Sequence, residues 1–354
     1  MLKQVLKYSV SVVIAGVFFW LAFKDFTQRD VEELWRMILG ANYLWLAVTV
    51  VLMVISHLIR AWRWGVLLST VKEKMRLTNL FNATMIGYAV NMALPRVGEV
   101  TKSVNLARQE KVDTKKVLAS VVIERILDTL MFALLLALSA FIFRVKMNQV
   151  FGEVQLWGMH VSFEIAAYLI LLASLLLLGF FAVLSLYPEK IAQLAEKFLE
   201  KRSKKWAERI SEALKSFIEG TASLKNRTKY AEIVLSSLVI WTLYLLGMLF
   251  PIYALSLHER YQLGVLEALT TLSISGFGQL ITPAGAGTYQ YACQTTLEKI
   301  FDVARVEASG FALITFALQT LTNAGFGAAA FFMQLKDETK DVAPSTIASE
   351  KIAS

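Results

Sequence analysis

Long apolar runs separated by short polar segments dominate this chain. Six of them reach or approach the ~20 residues with which a helix crosses a bilayer core of ~30 Å. They lie near residues 8–24, 44–68, 117–144, 162–187, 230–256 and 305–335. A soluble core helix can imitate one such run but not several together. The pattern predicts an all-α polytopic membrane protein with about six full spans.

Two further apolar runs are interrupted by proline and glycine. Residues 80–95 end at Pro95, and residues 265–282 end beside Pro283. Proline stops a helix because it lacks an N–H donor, and in lipid the freed backbone is tolerated only inside protein or beside water. Each run is therefore predicted to be the first arm of a re-entrant, broken-helix hairpin. The second arms would be VGEVTKSVNLARQ and TYQYACQTTLEKI.

Basic residues between the runs predict the topology. Most loop lysines and arginines lie in 69–116 and 188–229, whereas 145–161 and 257–304 carry few. The positive-inside rule puts the first two regions in the cytoplasm and the last two outside. We therefore expect a multi-pass protein of the plasma (inner) membrane with a cytoplasmic N-terminus and C-terminus.

The order span, hairpin, span occurs twice, in repeat one at 44–144 and in repeat two at 230–335. Because the predicted topology starts them on opposite sides, we expect inverted repeats, whose paired breaks point to a transporter's binding site. The alternative is two unrelated proline kinks. Both repeats would belong to one transmembrane domain, 1–335, followed by a disordered cytoplasmic tail at 336–354.

Charge, cysteine content and the absence of known motifs add to this picture. The net charge of +8 is assigned to cytoplasmic loops and not to nucleic-acid binding. The basic, amphipathic segment 188–227 is predicted to lie on the inner leaflet, or alternatively to be a linker packed on the bundle. Cys293 is the only cysteine, so no intrachain disulfide is expected. No catalytic or nucleotide motif is present, and we expect no enzyme activity, cofactor or metal.

Ionisable side chains within the spans are the candidates for function, because they are costly in lipid. His57, Arg60 and Arg63 share one face of a helix. Arg63 is expected to extend to the headgroups, and Arg60 either to do the same or to face the bundle. Glu124 and Asp128 stand four residues apart on another helix, where they would pair with arginines, bind a headgroup, or do both.

The first break offers a different chemistry. A helix that starts after Pro95 points its free N–H groups at the break, and Arg96 adds a planar donor fork suited to phosphate. Glu99 in the first turn caps this helix or joins the site. The full predicted headgroup site comprises Arg60, Asn91, Arg96, Gly98, Glu99, Lys102, Glu124, Arg125, Asp128, Gln279, Gly285, Gly287, Tyr289 and Gln290, with Pro95 and Pro283 as the helix breaks.

Three motifs in order resemble the lysylphosphatidylglycerol synthase transmembrane region, a flippase-like (YbhN-type) membrane family. They are GYAVNMALPRVGEV, ERILD at 124–128 and TPAGAGTYQ at 282–290. Arg96 stands one position closer to Pro95 than in the commoner pattern, and Tyr289–Gln290 replace the family's usual acid. The resemblance implies a membrane domain that moves a lipid between leaflets, without the soluble aminoacyl-transferase domain of the synthases.

The leading hypothesis is therefore a flippase-like transporter of a phospholipid or lipid-linked headgroup. Its partners would be lipids with anionic or zwitterionic headgroups, a soluble lipid-modifying enzyme, and further copies of the chain in an oligomer. One alternative is a membrane-embedded lipid or polyprenyl-phosphate transferase with Glu124 as base. The other is a non-catalytic membrane partner of a soluble transferase.

Overall fold

The computed structural model describes residues 2–94, 97–156, 159–186, 190 and 227–350. Pro95, Arg96 and nearly all of segment 188–227 lie outside these residues. In chain order the helices are α1 (Leu2–Phe23), α2 (Gln28–Leu39), α3 (Tyr43–Leu67), α4 (Leu77–Ala93), α5 (Val97–Glu110), α6 (Thr114–Ile142), α7 (Arg144–Phe151), α8 (Phe163–Leu186), α9 (Arg227–Ala254), α10 (Leu257–Tyr261), α11 (Val265–Gln279), α12 (Thr288–Thr295) and α13 (Arg305–Glu350).

Short irregular elements join these helices. Residues Leu68–Thr70 and Pro283–Gly285 form 3₁₀ turns, and Thr296–Ile300 form a π-helical turn after α12. Strands β1 (Glu153–Leu156) and β2 (Met159–Ser162) pair antiparallel between α7 and α8, with Val154 opposite Val161. Within the described residues the fold is thus all-α apart from one small hairpin that the sequence pattern did not predict.

Three helices are long and apolar enough to cross a membrane, within the part of the chain described. They are Tyr43–Thr70, Thr228–Ala254 and Arg305–Lys336. A fourth span results if Thr114–Ile142 and Arg144–Val150, which meet at 80°, count as one broken span. Shorter apolar helices occupy Val13–Phe23 and Ile165–Leu177. The protein is therefore a multi-pass membrane protein.

Short polar side chains fix where several helices begin. Asn42 accepts a hydrogen bond from the backbone of Leu44 at the start of α3, and Asp113 accepts one from Lys115 at the start of α6. Such caps satisfy donors that the first helical turn leaves free. The end of α13 differs from expectation, because the helix continues to Glu350 where a disordered tail was predicted from residue 336. Lysine, glutamate and alanine favour a helix in this segment, whereas Pro344 within it disfavours one.

Helices α4 and α5 form the first hairpin, with their break at the predicted position. Their backbones meet closely, since a Cβ on Gly98 would overlap the carbonyl oxygen of Gly87. The Gly98 N–H donates to Asn91 Oδ1 at 2.8 Å, which satisfies one free donor at the start of α5. Asn91 thus closes the hairpin across its own break.

Helices α11 and α12 form the second hairpin, also at the predicted position. The connection contains Gly285 at φ 78° and Gly287 at φ 77°, a backbone conformation that glycine adopts without a steric cost. Thr288 Oγ1 donates to the carbonyl of Gly278 at 2.6 Å, and Gly287 N–H donates to Gln290 Oε1 at 2.8 Å. Side chains therefore satisfy the broken backbone here as well.

The helices around the two hairpins contact each other in matching pairs. Helix α3 packs on α9. The contact between α4 and α13 corresponds to the contact between α11 and α6. The contact between α5 and α6 corresponds to the contact between α12 and α13. In the same way, the contact between α3 and α4 corresponds to that between α9 and α11. The contact between α3 and α6 corresponds to that between α9 and α13. Helices α3–α6 thus have the same neighbour pattern as α9 and α11–α13.

Candidate functional site

The polar face of α3 turns entirely into the protein. His57, Arg60 and Arg63 recur every three residues and are 8%, 4% and 0% exposed. The prediction that Arg63 extends to the headgroups is wrong, because its guanidinium binds Ser237 Oγ at 2.8 Å and Asp128 Oδ1 at 2.7 Å. Partners on α9 and α6 outweigh the gain from reaching the interface, since a buried charge requires a paired charge and hydrogen bonds.

Two carboxylates of α6 meet these arginines. Glu124 and Asp128 are four residues apart, so both project from one face of the helix. Arg60 Nη1 lies 3.2 Å from Glu124 Oε1 and 2.6 Å from Asp128 Oδ2. The ion pairs predicted between α6 and the arginines of α3 are therefore confirmed. Arg60 also donates to Tyr244 Oη of α9 at 3.0 Å.

Lys102 brings the first hairpin into contact with the same carboxylates. Its Nζ lies 2.6 Å from Glu124 Oε2 and 4.0 Å from the centroid of the Trp64 ring. The indole N–H of Trp64 donates to Ser120 Oγ at 2.9 Å, and Trp64 is fully buried. The Trp64 ring therefore forms the floor under a buried ammonium group.

These contacts define what we call the charged cluster: Arg60, Arg63, Lys102, Glu124 and Asp128. Three helices supply it, and Glu124 is 0% exposed at its centre. The cluster holds three cations and two carboxylates. Arg60 Nε and Arg63 Nε are buried and have no hydrogen-bond partner among the described atoms. The cluster thus carries one more positive than negative group.

The remaining residues predicted near the first break lie at the edge of this cluster. Glu99 pairs with Arg125 at 3.2 Å, and both side chains are about one third exposed. Asn91 and Gly98 hold the break itself. His57 stacks near Tyr88, with 5.1 Å between the ring centroids. Arg96, the residue expected to bind phosphate directly, lies outside the described residues.

The residues predicted from the second hairpin form an uncharged polar network. Gln279 Nε2 donates to Gln319 Oε1 at 2.6 Å, and Tyr289 Oη donates to Thr315 Oγ1 at 2.9 Å. Gly285, Gly287 and Gln290 shape the turn after Pro283. No hydrogen bond described for these residues reaches the charged cluster.

Sequence reasoning missed four contributors to the cluster. Arg63 stood on the correct helix face, but its side chain is long enough to point either inward or toward the interface. Ser120, Ser237 and Tyr244 are uncharged polar residues in apolar spans, and only Tyr244 carried a signal, because a phenolic hydroxyl in a span needs a partner. Among the described residues, no group of three side chains could ligate a metal ion.

A buried charged cluster between broken and unbroken membrane helices defines a class of polytopic membrane protein with an ionic site inside the bundle. Within that class, the chain belongs to the family described as the lysylphosphatidylglycerol synthase TM region, whose model matches residues 8–327. The resemblance drawn from the three motifs is thereby confirmed. No curated protein and no solved structure matches the chain.

Proposed function

We propose that this protein moves a phospholipid or lipid-linked headgroup between the leaflets of the plasma (inner) membrane. It would act as a flippase-like transporter and not as an enzyme, with both termini in the cytoplasm. The observation that carries the proposal is the charged cluster, in which three buried cations face the buried carboxylate of Glu124 and the largely buried one of Asp128. An uncompensated buried charge is costly unless a ligand of opposite charge balances it.

Phosphate is the ligand chemistry that suits this cluster. Guanidinium groups bind phosphate oxygens through paired N–H donors, and Arg60 Nε and Arg63 Nε are free of partners among the described atoms. Glu124 and Asp128 hold the arginines in place when no phosphate is bound. Lipids with anionic or zwitterionic headgroups would exchange with these internal pairs.

A route for the headgroup follows from the two hairpins. In our proposal, α3–α6 and α9 with α11–α13 are inverted repeats within six full spans, and the hairpins enter from opposite sides. The matching helix contacts support this arrangement. Substrate sites of such transporters lie between the paired broken helices. The headgroup would therefore pass between the hairpins, beside the charged cluster.

The transferase alternative receives less support. It requires Glu124 to act as a base, but Arg60 occupies one oxygen of Glu124 and Lys102 occupies the other. A base needs a free oxygen within reach of the proton that it removes. A soluble lipid-modifying enzyme remains part of the proposal as the partner that supplies the substrate.

The decisive experiment changes the charge of the cluster without leaving Glu124 unpaired. Lys102→Met removes the excess cation, while Arg60 still lies 3.2 Å and Arg63 3.9 Å from Glu124. Purified protein in liposomes is assayed for translocation of fluorescent phosphatidylglycerol by its accessibility to dithionite. We expect translocation to fall at least about tenfold in Lys102→Met, and to stay within about threefold of the unsubstituted protein in Lys102→Arg.

Two results would overturn the proposal. One is equal translocation by Lys102→Met and the unsubstituted protein, or none above protein-free liposomes in either. The other is a new lipid species, detected by mass spectrometry when a donor is supplied, which would favour the transferase alternative.

A further inference from the structure

An open apolar groove runs along the seam between α3 and α13. Its volume is about 400 Å³, and its walls include Val50 of α3 and Leu318, Leu321, Gly325 and Ala329 of α13. The α13 residues recur every three or four positions, so they share one face of the helix. Leu321 is 70% exposed, and this face therefore lies open along its length.

The length of the groove matches one leaflet. Leu318 and Ala329 are eleven positions apart, about 16 Å along a helix that rises 1.5 Å per residue. Half of a ~30 Å hydrocarbon core is about 15 Å. One hydrocarbon chain of a membrane lipid therefore fits the groove from end to end.

A contact between two polar side chains joins α3 and α13 at the seam. His57 of α3 is more than nine-tenths buried, and Asn323 of α13 lies against it. Apart from their contact with each other, His57 Nδ1 and Asn323 Oδ1 have no hydrogen-bond partner among the described atoms. His57 is one turn from Arg60, so the seam separates an apolar groove from the polar interior that leads to the charged cluster.

We propose that this groove holds a hydrocarbon chain of the phospholipid whose headgroup is bound at the charged cluster, so that the α3–α13 seam is the lateral opening of the site. The inference rests on the proposed function, because it assigns the place of the chain to the same lipid. A headgroup can enter the bundle only where its chains remain in a hydrocarbon environment. The groove offers that environment beside the polar contact between His57 and Asn323, one turn from Arg60.

Gly325 makes the proposal testable without disturbing the core. A Cβ at this position would meet no atom within 4 Å, so a side chain can start here without a clash, and Gly325→Leu adds apolar volume to the groove. Gly179 of α8 is equally open and exposed, and Gly179→Leu is the matched control. Both substitutions add the same apolar side chain to the surface of a membrane helix.

The experiment has two independent measurements. In liposomes of phosphatidylglycerol and phosphatidylethanolamine, we expect Gly325→Leu to slow translocation of fluorescent phosphatidylglycerol at least about tenfold, and Gly179→Leu to leave it unchanged. Separately, a photoreactive benzoylphenylalanine replaces Leu321, and lipid adducts are quantified by mass spectrometry. Gly325→Leu should lower the adduct yield at least about threefold. The yield at a second site, Leu176 of α8, should not change.

The outcomes separate this inference from the proposed function. If the unsubstituted protein translocates lipid and Gly325→Leu does so equally well, the lateral opening is overturned and the function stands. An adduct yield at residue 321 that Gly325→Leu does not lower also overturns it. If no protein translocates lipid but Gly325→Leu lowers the adduct yield, the groove binds the chain and the transport function is overturned.

Discussion

The two hairpins share a shape but differ in chemistry. In both, two helices meet at glycine contacts, and side chains satisfy the backbone at the break: Asn91 in the first and Thr288 with Gln290 in the second. The first hairpin also brings Lys102 to Glu124, whereas the second pairs neutral groups such as Tyr289 with Thr315.

This difference shows which polar groups a broken helix needs in order to fold and which it does not need. The second hairpin shows that neutral amide and hydroxyl groups are enough to close a break between membrane helices. The charges at the first hairpin are therefore not required by the break itself. They are expensive in a bundle interior, which makes them the best evidence for a ligand-binding role on that side.

The sharpest test of the comparison is Glu124→Gln. The change leaves Lys102, Arg60 and Arg63 close together with Asp128 as the only carboxylate, so we expect a loss of about 3–5 kcal/mol in the free energy of unfolding. Unfolding of the purified protein in detergent, followed by tryptophan fluorescence, provides the measurement. The control is Glu99→Gln, whose partly exposed pair with Arg125 contributes at most about 1 kcal/mol. An equally small loss in the two variants would mean that the charged cluster beside the first hairpin contributes no more to stability than a partly exposed ion pair.

A second test concerns the bases of the hairpins. Glu110 at the end of α5 accepts hydrogen bonds from Lys72 Nζ at 2.5 Å, the Arg76 N–H at 3.1 Å and Asn79 Nδ2 at 2.8 Å. The arm α11 instead begins with a local cap, in which Gly264 N–H donates to Glu267 Oε2 at 2.9 Å. Burial alone would raise the pKa of Glu110, but the hydrogen bonds from Lys72, Asn79 and Arg76 outweigh it and hold the pKa below its usual value.

The lowered pKa of Glu110 gives the stabilisation by these hydrogen bonds a predictable pH dependence. Because the folded pKa lies below the unfolded one, the stabilisation is complete above the ordinary pKa near 4.5 and is lost as pH falls through the folded value. Glu110→Gln should cost about 1 kcal/mol at neutral pH and flatten the decline of the unfolding temperature on acidification. An unchanged acid profile in Glu110→Gln would rule out this role.

The smallest expected effect lies in the second hairpin. Tyr289→Phe removes the hydrogen bond to Thr315, but Thr315 Oγ1 still donates to the Phe311 carbonyl, so no buried group is left unpaired. Side-chain hydrogen bonds inside membrane bundles average about 0.6 kcal/mol, and we expect a loss of that size in the same unfolding assay. A loss as large as that of Glu124→Gln would remove the contrast between the hairpins.

The sequence predicted the parts of this molecule that depend on local chemistry. Proline and glycine located both breaks, because they act on the backbone of their own segment. The spacing of Glu124 and Asp128 located the acidic face of α6. The partners on other helices were harder, since Ser237 and Tyr244 approach α3 only through packing between segments more than 170 positions apart.

Arg63 illustrates why the rest could not be read from the sequence. A long flexible side chain near a helix end can reach headgroups or turn inward with a similar loss of entropy. Hydrogen bonds to Asp128 and Ser237 turn the Arg63 side chain inward. Both partners lie on other helices, so the sequence of α3 alone does not reveal them. The positive charge of the site was predicted. That Arg63 is one of its three cations depended on the neighbours that the fold brings to α3.

The complete burial of Cys293 has a practical consequence for mapping sidedness. Because it is the sole thiol and is shielded from reagents, single cysteines introduced at exposed sites can be modified by impermeant maleimides with little background signal. Reagent added from either face of sealed vesicles would then report, for each hairpin separately, which compartment its base contacts.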